Sequence, residues 1–408
     1  AVFSLTPDEH NRFDFEASRG LQDRDRTPGE SIPAKSKPNL STYERTNYAI
    51  THDGRYDFGS STSYLQREEN TNPGRQMKLI NTIADTHTQF ELGDHYLSVG
   101  GQYRYEDLQD QGNQLNVVNR ANQLTRWSWA TFVEDEWALT DSFALTGGVR
   151  MDRDQNYGSH WSPRLYGVWH PAEFWTLKGG VSTGYRSPDL RMSAANWGQA
   201  TGGGTQDGML VGSPALQPEK SVSEEIALLW DGRQGLNAGL TLFNTDFKNK
   251  IDYQPLGFFN GYWWTRMDNA QSARTRGLEL TGKAALGAGW EWSGNLTRMF
   301  ESKNLSTGAQ LLAVPQVTAY TQLQWRVRPG LVTTLAARHT GKELLTTGTA
   351  STFAKAYTTI DLSVGWDVTP TATVRAGVVN LTDKQTRDLG SNYDNGGRTY
   401  FMGLTARF

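Results

Sequence analysis

Thr359-Ile-Asp-Leu-Ser-Val-Gly-Trp-Asp-Val368 places Ile360, Leu362, Val364, Trp366 and Val368 on one face, with Thr359, Asp361, Ser363, Gly365 and Asp367 on the other. Successive side chains of a strand point to opposite faces, so this segment is a strand with one apolar and one polar side. The next segment repeats the pattern, with Ala372, Val374, Ala376 and Val378 against Arg375 and Gly377. Upstream, Phe143, Leu145, Val149 and Met151 oppose Thr146, Arg150 and Asp152, and Trp175, Leu177 and Val181 oppose Lys178, Ser182 and Arg186.

Periodicity does not say which face looks inward. A soluble sandwich buries its apolar side; an outer-membrane barrel turns that side to lipid. The connections decide between them. Tight turns are expected at Pro7–His10, Asp53–Gly54, Gly93–Asp94, Asp141–Ser142, Ala172–Glu173, Asp231–Gly235, Gly287–Gly289, Arg328–Gly330 and Thr369–Thr371. Longer connections are expected at Thr27–Ser41, Asn70–Met77, Gln111–Gln123, Arg153–Ser159, Ser187–Glu219, Asp252–Ser272, Ser302–Gln310, Lys342–Thr352 and Asp383–Gly397. Short and long alternate along the chain, which in an up-and-down barrel collects short turns at one rim and long loops at the other. The fold class is therefore all-β, a transmembrane antiparallel up-and-down β-barrel.

Composition agrees. Only 37% of the 408 residues are hydrophobic, and no apolar run approaches the roughly 18 residues of a membrane helix. A barrel needs only alternate residues to be apolar. Fourteen Trp and sixteen Tyr suit the aromatic girdles of such a sheet. A net charge of −3 gives no footprint for nucleic acid, and the lack of Cys excludes disulfides, thiol nucleophiles and thiolate metal sites. No signal peptide is visible in Ala1–Thr6.

At the other end Tyr400, Met402, Leu404, Ala406 and Phe408 share a face and the chain stops on the aromatic. A closing amphipathic strand ending in Phe resembles the signature read by the outer-membrane barrel assembly machinery. About nineteen strands can be counted, whereas bacterial single-chain barrels have an even number. The expectation is an N-terminally truncated piece of a larger barrel.

Several motifs are similar to those of TonB-dependent receptors. Gly158-Ser-His-Trp-Ser-Pro-Arg164 and Lys178-Gly-Gly-Val-Ser-Thr-Gly-Tyr-Arg-Ser-Pro-Asp-Leu190 resemble the strand pair before a large outer loop of that family. Val211-Gly-Ser-Pro-Ala-Leu-Gln-Pro-Glu-Lys-Ser221 resembles the segment closing that loop, and Glu224-Glu225 follows it. Asn380-Leu-Thr-Asp-Lys384 and Asp394-Asn-Gly-Gly-Arg-Thr-Tyr-Phe-Met402 resemble the family's final motifs. The wording is nearest to ferric catecholate receptors, the colicin I receptor type in particular. The resemblance implies a barrel of about 22 strands, with residues 1–408 forming barrel domain only, the N-terminal plug and its TonB box being absent. It also implies siderophore uptake across the outer membrane of a Gram-negative bacterium, energised through TonB-ExbB-ExbD, with lipid and lipopolysaccharide around the wall and colicin or phage as further partners. Iron would travel on the siderophore, so no protein cofactor and no catalysis are expected.

A ferric tris-catecholate is a bulky aromatic trianion, suited to Arg charge and aromatic faces. Two outer loops carry that mixture. Ser187–Glu219 follows Tyr185 and Arg186 and contains Arg191 and Trp197. Asp252–Ser272 contains Tyr253, Phe258, Phe259, Tyr262, Trp263, Trp264 and Arg266. The competing role for Trp263 and Trp264 is the outer aromatic girdle, and for Arg150 and Lys178 pairing with acidic groups of the wall or plug. The seven His are scattered without metal-ligand spacing. Asp85 with His87 and Asp94 with His95 read as rim, lumen or turn residues, and Asp152-Arg-Asp-Gln-Asn156 as a polar hairpin. Gly202-Gly203-Gly204 belongs to a surface loop. A receptor for haem, cobalamin or another chelate, and a passive porin-like channel, are the alternatives; the loops do not name the chelate.

Overall fold

The computed structural model describes residues 1–26, 39–201, 208–269, 272–346, 352–386 and 396–407. Among the described residues nineteen strands form one sheet, and a four-stranded and a two-stranded sheet are formed as well. The chain divides into two compact units.

The first unit comprises residues 1–167, 181–222 and 247–271. In it Val2–Leu5, Asn11–Arg26, Asn39–Tyr56, Gly59–Asn72, Met77–Leu92, His95–Asp110, Gln123–Thr140 and Phe143–Asp154 pair in chain order, each antiparallel to the next. In the second unit Ala273–Gly287, Trp290–Asn304, Val317–Arg328, Leu331–Thr340, Tyr357–Thr369, Ala372–Val379 and Thr399–Ala406 do the same. This is an up-and-down meander, as the alternation of the sequence requires.

The apolar faces are exposed. In Tyr357–Thr369, Trp366 is 44% and Val368 47% exposed, while Asp361 and Ser363 behind them are partly buried. Ile50, Leu65, Leu165, Ile226, Leu335 and Leu404 are likewise open. The sheet has no dry core on that side, which is the arrangement of a wall facing hydrocarbon. Buried apolar side chains are found instead under the loops, as with Leu190, Ala194, Trp197, Met209, Leu216 and Met267 in the first unit.

Aromatics gather where strands meet the short turns. Tyr56, Phe58 and Phe90 stack in succession at 5.1 and 5.6 Å, and His95 stacks on Trp137. In the second unit Trp290 lies parallel to Trp325 at 4.9 Å, and Trp175 meets Trp230 at 6.4 Å. Amphipathic rings at this level form an interfacial girdle.

The connections depart from expectation in six places. Asp53–Gly54 is not a turn; the strand continues to Tyr56 and turns at 57–58. Gly54 is needed because the Tyr56 ring lies over it, where an added Cβ would meet ring atoms at 2.6 Å. Asn70–Met77 shrinks to a 3-10 turn at Pro73–Arg75, whose N–H groups Asn72 helps to cap. Arg153–Ser159 shrinks to residues 155–157, because Asp154 accepts the N–H groups of Asn156 and Tyr157. The rule of alternating lengths is therefore looser than the sequence suggested, since two connections of the expected long set are turns of three residues. Finally, Asp252–Ser272 is built mainly of strand, as is part of Ser187–Glu219, and Glu343–Thr346 pairs with Thr352–Ala354.

In the last strand Tyr400, Met402 and Leu404 share the exposed apolar face. Phe408 lies outside the described residues, as do Gly202-Gly203-Gly204 and parts of the expected loops at 27–38, 270–271, 347–351 and 387–395.

Candidate functional site

The four-stranded sheet belongs wholly to the first unit. Gly198–Thr201 pairs antiparallel with Gly208–Val211, which runs parallel to Tyr262–Asn269, and this pairs with Ile251–Phe259. Asn260 (φ 51°) and Gly261 (φ 80°) make the hairpin turn between the last two. Two positive φ values at an Asn-Gly pair match the right-handed twist of the strands it joins. A register shift between Pro255 and Gly257 bulges the outer strand.

Aromatic side chains are paired across this hairpin. Phe259 stacks on Trp264 at 4.8 Å and 4°, Phe258 meets Trp263 at 5.4 Å, and the Trp264 indole donates to the Phe259 carbonyl at 3.0 Å. Tyr253, Phe258, Phe259 and Trp263 remain exposed. Arg266 donates to Asp268 at 2.7 Å, but its Nε is shielded and has no partner among the described residues. Trp263 and Trp264 thus sit on the small sheet and not in the girdle of the large one. Asn269 fixes the hairpin's base, donating to the carbonyls of Gln217 and Asn249 and accepting the Gln217 N–H.

Arg186 is open to solvent and 3.4 Å from Glu219, whose other oxygen accepts the Ile251 N–H. Glu219 therefore links Arg186 to the foot of the aromatic hairpin. Tyr185 stacks on His160 at 4.6 Å with its hydroxyl buried and without a hydrogen-bond partner among the described residues.

Arg191 and Trp197 are used differently. Trp197 is 3% exposed and its indole donates to Asp110 at 2.9 Å. Asp110 also receives Arg75 at 3.1 Å, and the guanidinium carbons of Arg191 and Arg75 lie 5.4 and 5.9 Å from the Trp197 ring. Burial first, then the Arg75 charge, lowers the Arg191 pKa from its ordinary value. Beside them Arg126 makes a forked bond to Glu106 and donates to the Pro188 carbonyl at 2.6 Å. Asn113 joins the 111–122 and 187–198 segments through the Asn196 carbonyl and the Gly198 N–H. This polar joint holds the loop down.

None of Arg75, Asp110, Asn113 or Arg126 was nominated by the sequence, because each is an ordinary polar residue of a turn, a connection or a strand end until the loop arrives. The hairpin did carry a signal, Asn260-Gly261 between aromatic runs. Of the other candidates, Arg150 pairs with Asp152 at 3.0 Å, while Lys178 has no carboxylate partner among the described residues. Asp85 and His87 stand 3.9 Å apart, too far for a hydrogen bond. Asp94 lies in a turn, and the neighbouring His95 bonds Asp135 at 2.8 Å. Among the described residues no group of three or more His, Cys, Asp or Glu could hold a metal ion.

Residues 4–381 match the family described as TonB dependent receptor-like, beta-barrel. The chain belongs to that family. This TonB-dependent receptor barrel is 36% identical over 425 residues to the iron-regulated outer membrane virulence protein of Vibrio cholerae, covering 100% of the chain and 64% of that relative. It is 28% identical over 443 residues to the ferrienterobactin receptor of Escherichia coli, covering 89% and 59%. Among solved structures, the ferric enterobactin receptor of Pseudomonas aeruginosa in complex with enterobactin superposes with a TM-score of 0.86 at 25% identity, covering 99% of the chain and 69% of that one. The receptor barrel accordingly spans under two thirds of the length of the curated relatives it matches. Its place is the outer membrane, its apolar faces toward lipid, and its family and relatives are receptors and transporters, not enzymes.

Proposed function

We propose that this barrel is the membrane wall of a receptor for uptake of a ferric siderophore of the catecholate type, captured at the outer loops. The observation carrying this reading is the hairpin of exposed, stacked aromatics with Arg266 on its inner strand and Arg186 near its foot. Flat electron-rich rings and a guanidinium suit a coordinated aromatic anion, since cation–π and stacking contacts leave the iron's own ligands in place. Relatives named for ferric enterobactin favour the same ligand class. Within this proposal the lining role falls to Arg186, Tyr262, Trp263, Trp264 and Arg266. Tyr185, Arg191 and Trp197 would act by fixing the loop beside it. Energy coupling would come through TonB-ExbB-ExbD acting on a plug, and folding through the barrel assembly machinery reading Tyr400, Met402, Leu404 and Phe408. A colicin or phage would use the same outer loops.

Ferric-catecholate binding to the full-length receptor tests this, with Arg266→Ala and Trp263→Ala expected to weaken it about tenfold, the scale of one lost cation–π contact. Iron-limited growth of a deletion strain on single siderophores is the companion measurement. Rescue by haem or cobalamin alone, with no catecholate rescue, would move the assignment to another chelate. Steady conductance of the full-length protein in a planar bilayer would point to a passive channel.

A further inference from the structure

Glu219 opens the strand Glu219–Gly232, directly after a segment that is fastened down. Leu216 is 0% exposed and Pro218 is buried. The Ser213 N–H donates to the Met192 carbonyl at 2.6 Å, and the Gln217 N–H to the Asn269 side-chain oxygen at 2.7 Å. The Glu219 backbone is therefore fixed, and its side chain is the part free to respond. That side chain is 18% exposed, against 71% for Arg186. Its two oxygens have different partners. Oε1 accepts the Ile251 N–H at 2.8 Å, and Oε2 faces Nη1 of Arg186 at 3.4 Å.

The two contacts are unequal. A backbone N–H on a carboxylate oxygen at 2.8 Å is a charge-assisted bond, whereas a long contact to an open guanidinium is a weak surface pair. Among the described residues Glu219 is the one carboxylate within ion-pair reach of Arg186. An anion arriving at Arg186 thus meets a carboxylate already in place, and the hairpin keeps that carboxylate from leaving. The pair at Arg266 is different. Its partner Asp268 lies two positions along the same strand, so that pair opens without disturbing another segment. Arg186 and Glu219 are 33 positions apart, and Glu219 carries the contact on to Ile251, the first residue of the hairpin.

We propose that Glu219 is a positioning residue of the ligand site: it stands in for ligand charge at Arg186 and transmits the occupancy of Arg186 to the foot of the aromatic hairpin. The inference rests on the reading of Arg186 as part of that site. In the free receptor the guanidinium steadies the carboxylate, and the carboxylate protects the Ile251 amide. An anionic chelate draws Arg186 off Oε2 and repels Glu219, so the Ile251 bond loses its support. Displacing Glu219 opposes binding of any anion, and an uncharged chelate is indifferent to it.

Amide hydrogen exchange and chelate binding on the full-length receptor test this, with heat-modifiable gel mobility reporting folding of each variant. In the unliganded receptor Glu219→Ala should quicken exchange at Ile251 about tenfold or more, the loss of one hydrogen bond to a charged group. Glu219→Gln keeps an acceptor and should stay near the parent. Arg186→Ala should quicken Ile251 roughly two- to fivefold, although Arg186 makes no hydrogen bond to the hairpin among the described residues. In the Glu219→Gln background that response should vanish. Glu219→Gln should also tighten a ferric tris-catecholate about fivefold, the scale of one surface ion pair no longer broken, and leave binding of an uncharged ferric tris-hydroxamate as in the parent. Parent-like exchange at Ile251 in Glu219→Ala, no response to Arg186→Ala, or the same response in the Glu219→Gln background would overturn the proposal. So would weaker or equal tris-catecholate binding by Glu219→Gln. A parent receptor that binds no tris-catecholate would remove the ligand class proposed above, and the exchange measurements alone would then decide the coupling.

Discussion

The indole of Trp197 donates its N–H to the carboxylate of Asp110 across 87 positions of sequence, at 2.9 Å and out of contact with water. Because Arg75 leans on the same carboxylate at 3.1 Å, Asp110 is the one group that satisfies both a buried indole and a largely buried guanidinium. Removing one member of such a pair leaves an uncompensated charge and costs about 3–5 kcal/mol. Asp110→Ala is therefore expected to release the 187–201 loop. Hydrogen exchange over that loop should accelerate while the wall strands stay protected, since low-stability segments open independently. Asp110→Asn keeps an acceptor for the indole and should show a smaller effect.

The aromatic hairpin depends on its turn. Gly261 has φ 80°, a region where a β-branched side chain is strained by about 1–3 kcal/mol. Gly261→Val should loosen exchange protection over 251–269 and weaken ligand capture, with the wall intact. Unchanged protection would mean that the stacking of Phe259 on Trp264 holds the hairpin without help from the turn.

Face identity predicts an asymmetry between neighbours. Leu362 is on the exposed apolar side and Ser363 on the other. Leu362→Arg should destabilise the folded protein in a phospholipid bilayer by about 2–4 kcal/mol, the cost of a lipid-facing cation near the midplane. Ser363→Arg should be far milder. Denaturant titration in bilayers measures both, and equal effects would contradict the assignment of faces.

The first short turn should respond to acid. The Asn11 amide donates to the Asp8 carboxylate, as do the backbone N–H groups of His10 and Asn11, and together they lower its pKa from 3.8. A carboxylate depressed by folding adds stability that is present above 3.8 and lost as pH falls through its folded value. Exchange at residues 8–11 should therefore quicken below pH 4, and Asp8→Asn should flatten that dependence.

Much of this fold was legible because strand periodicity is local. Ile360 to Val368 reveal an apolar face without reference to any partner, and tight turns such as Gly93-Asp94 announce themselves by residue type. Local signals also misled. Asp53-Gly54 has turn chemistry but is held straight by pairing on both sides, Gly54 opposing Asn11 and Ser61. Asn260-Gly261 has the same chemistry and does turn, because the flanking aromatics find each other across it.

The sequence alone determined the class of protein: two-residue alternation, segregated connections and the absence of a long apolar run leave a membrane barrel as the solution, and each of these is a property of neighbours in the chain. Tertiary structure decided which polar residues matter at the outer rim. Trp197 and Arg191 read as ligand candidates from their chemistry, yet their environment is fixed by Asp110 and Arg75, residues that approach only after the strands have paired. Charge and burial belong to such arrangements in space, so no reading of consecutive residues could have assigned them.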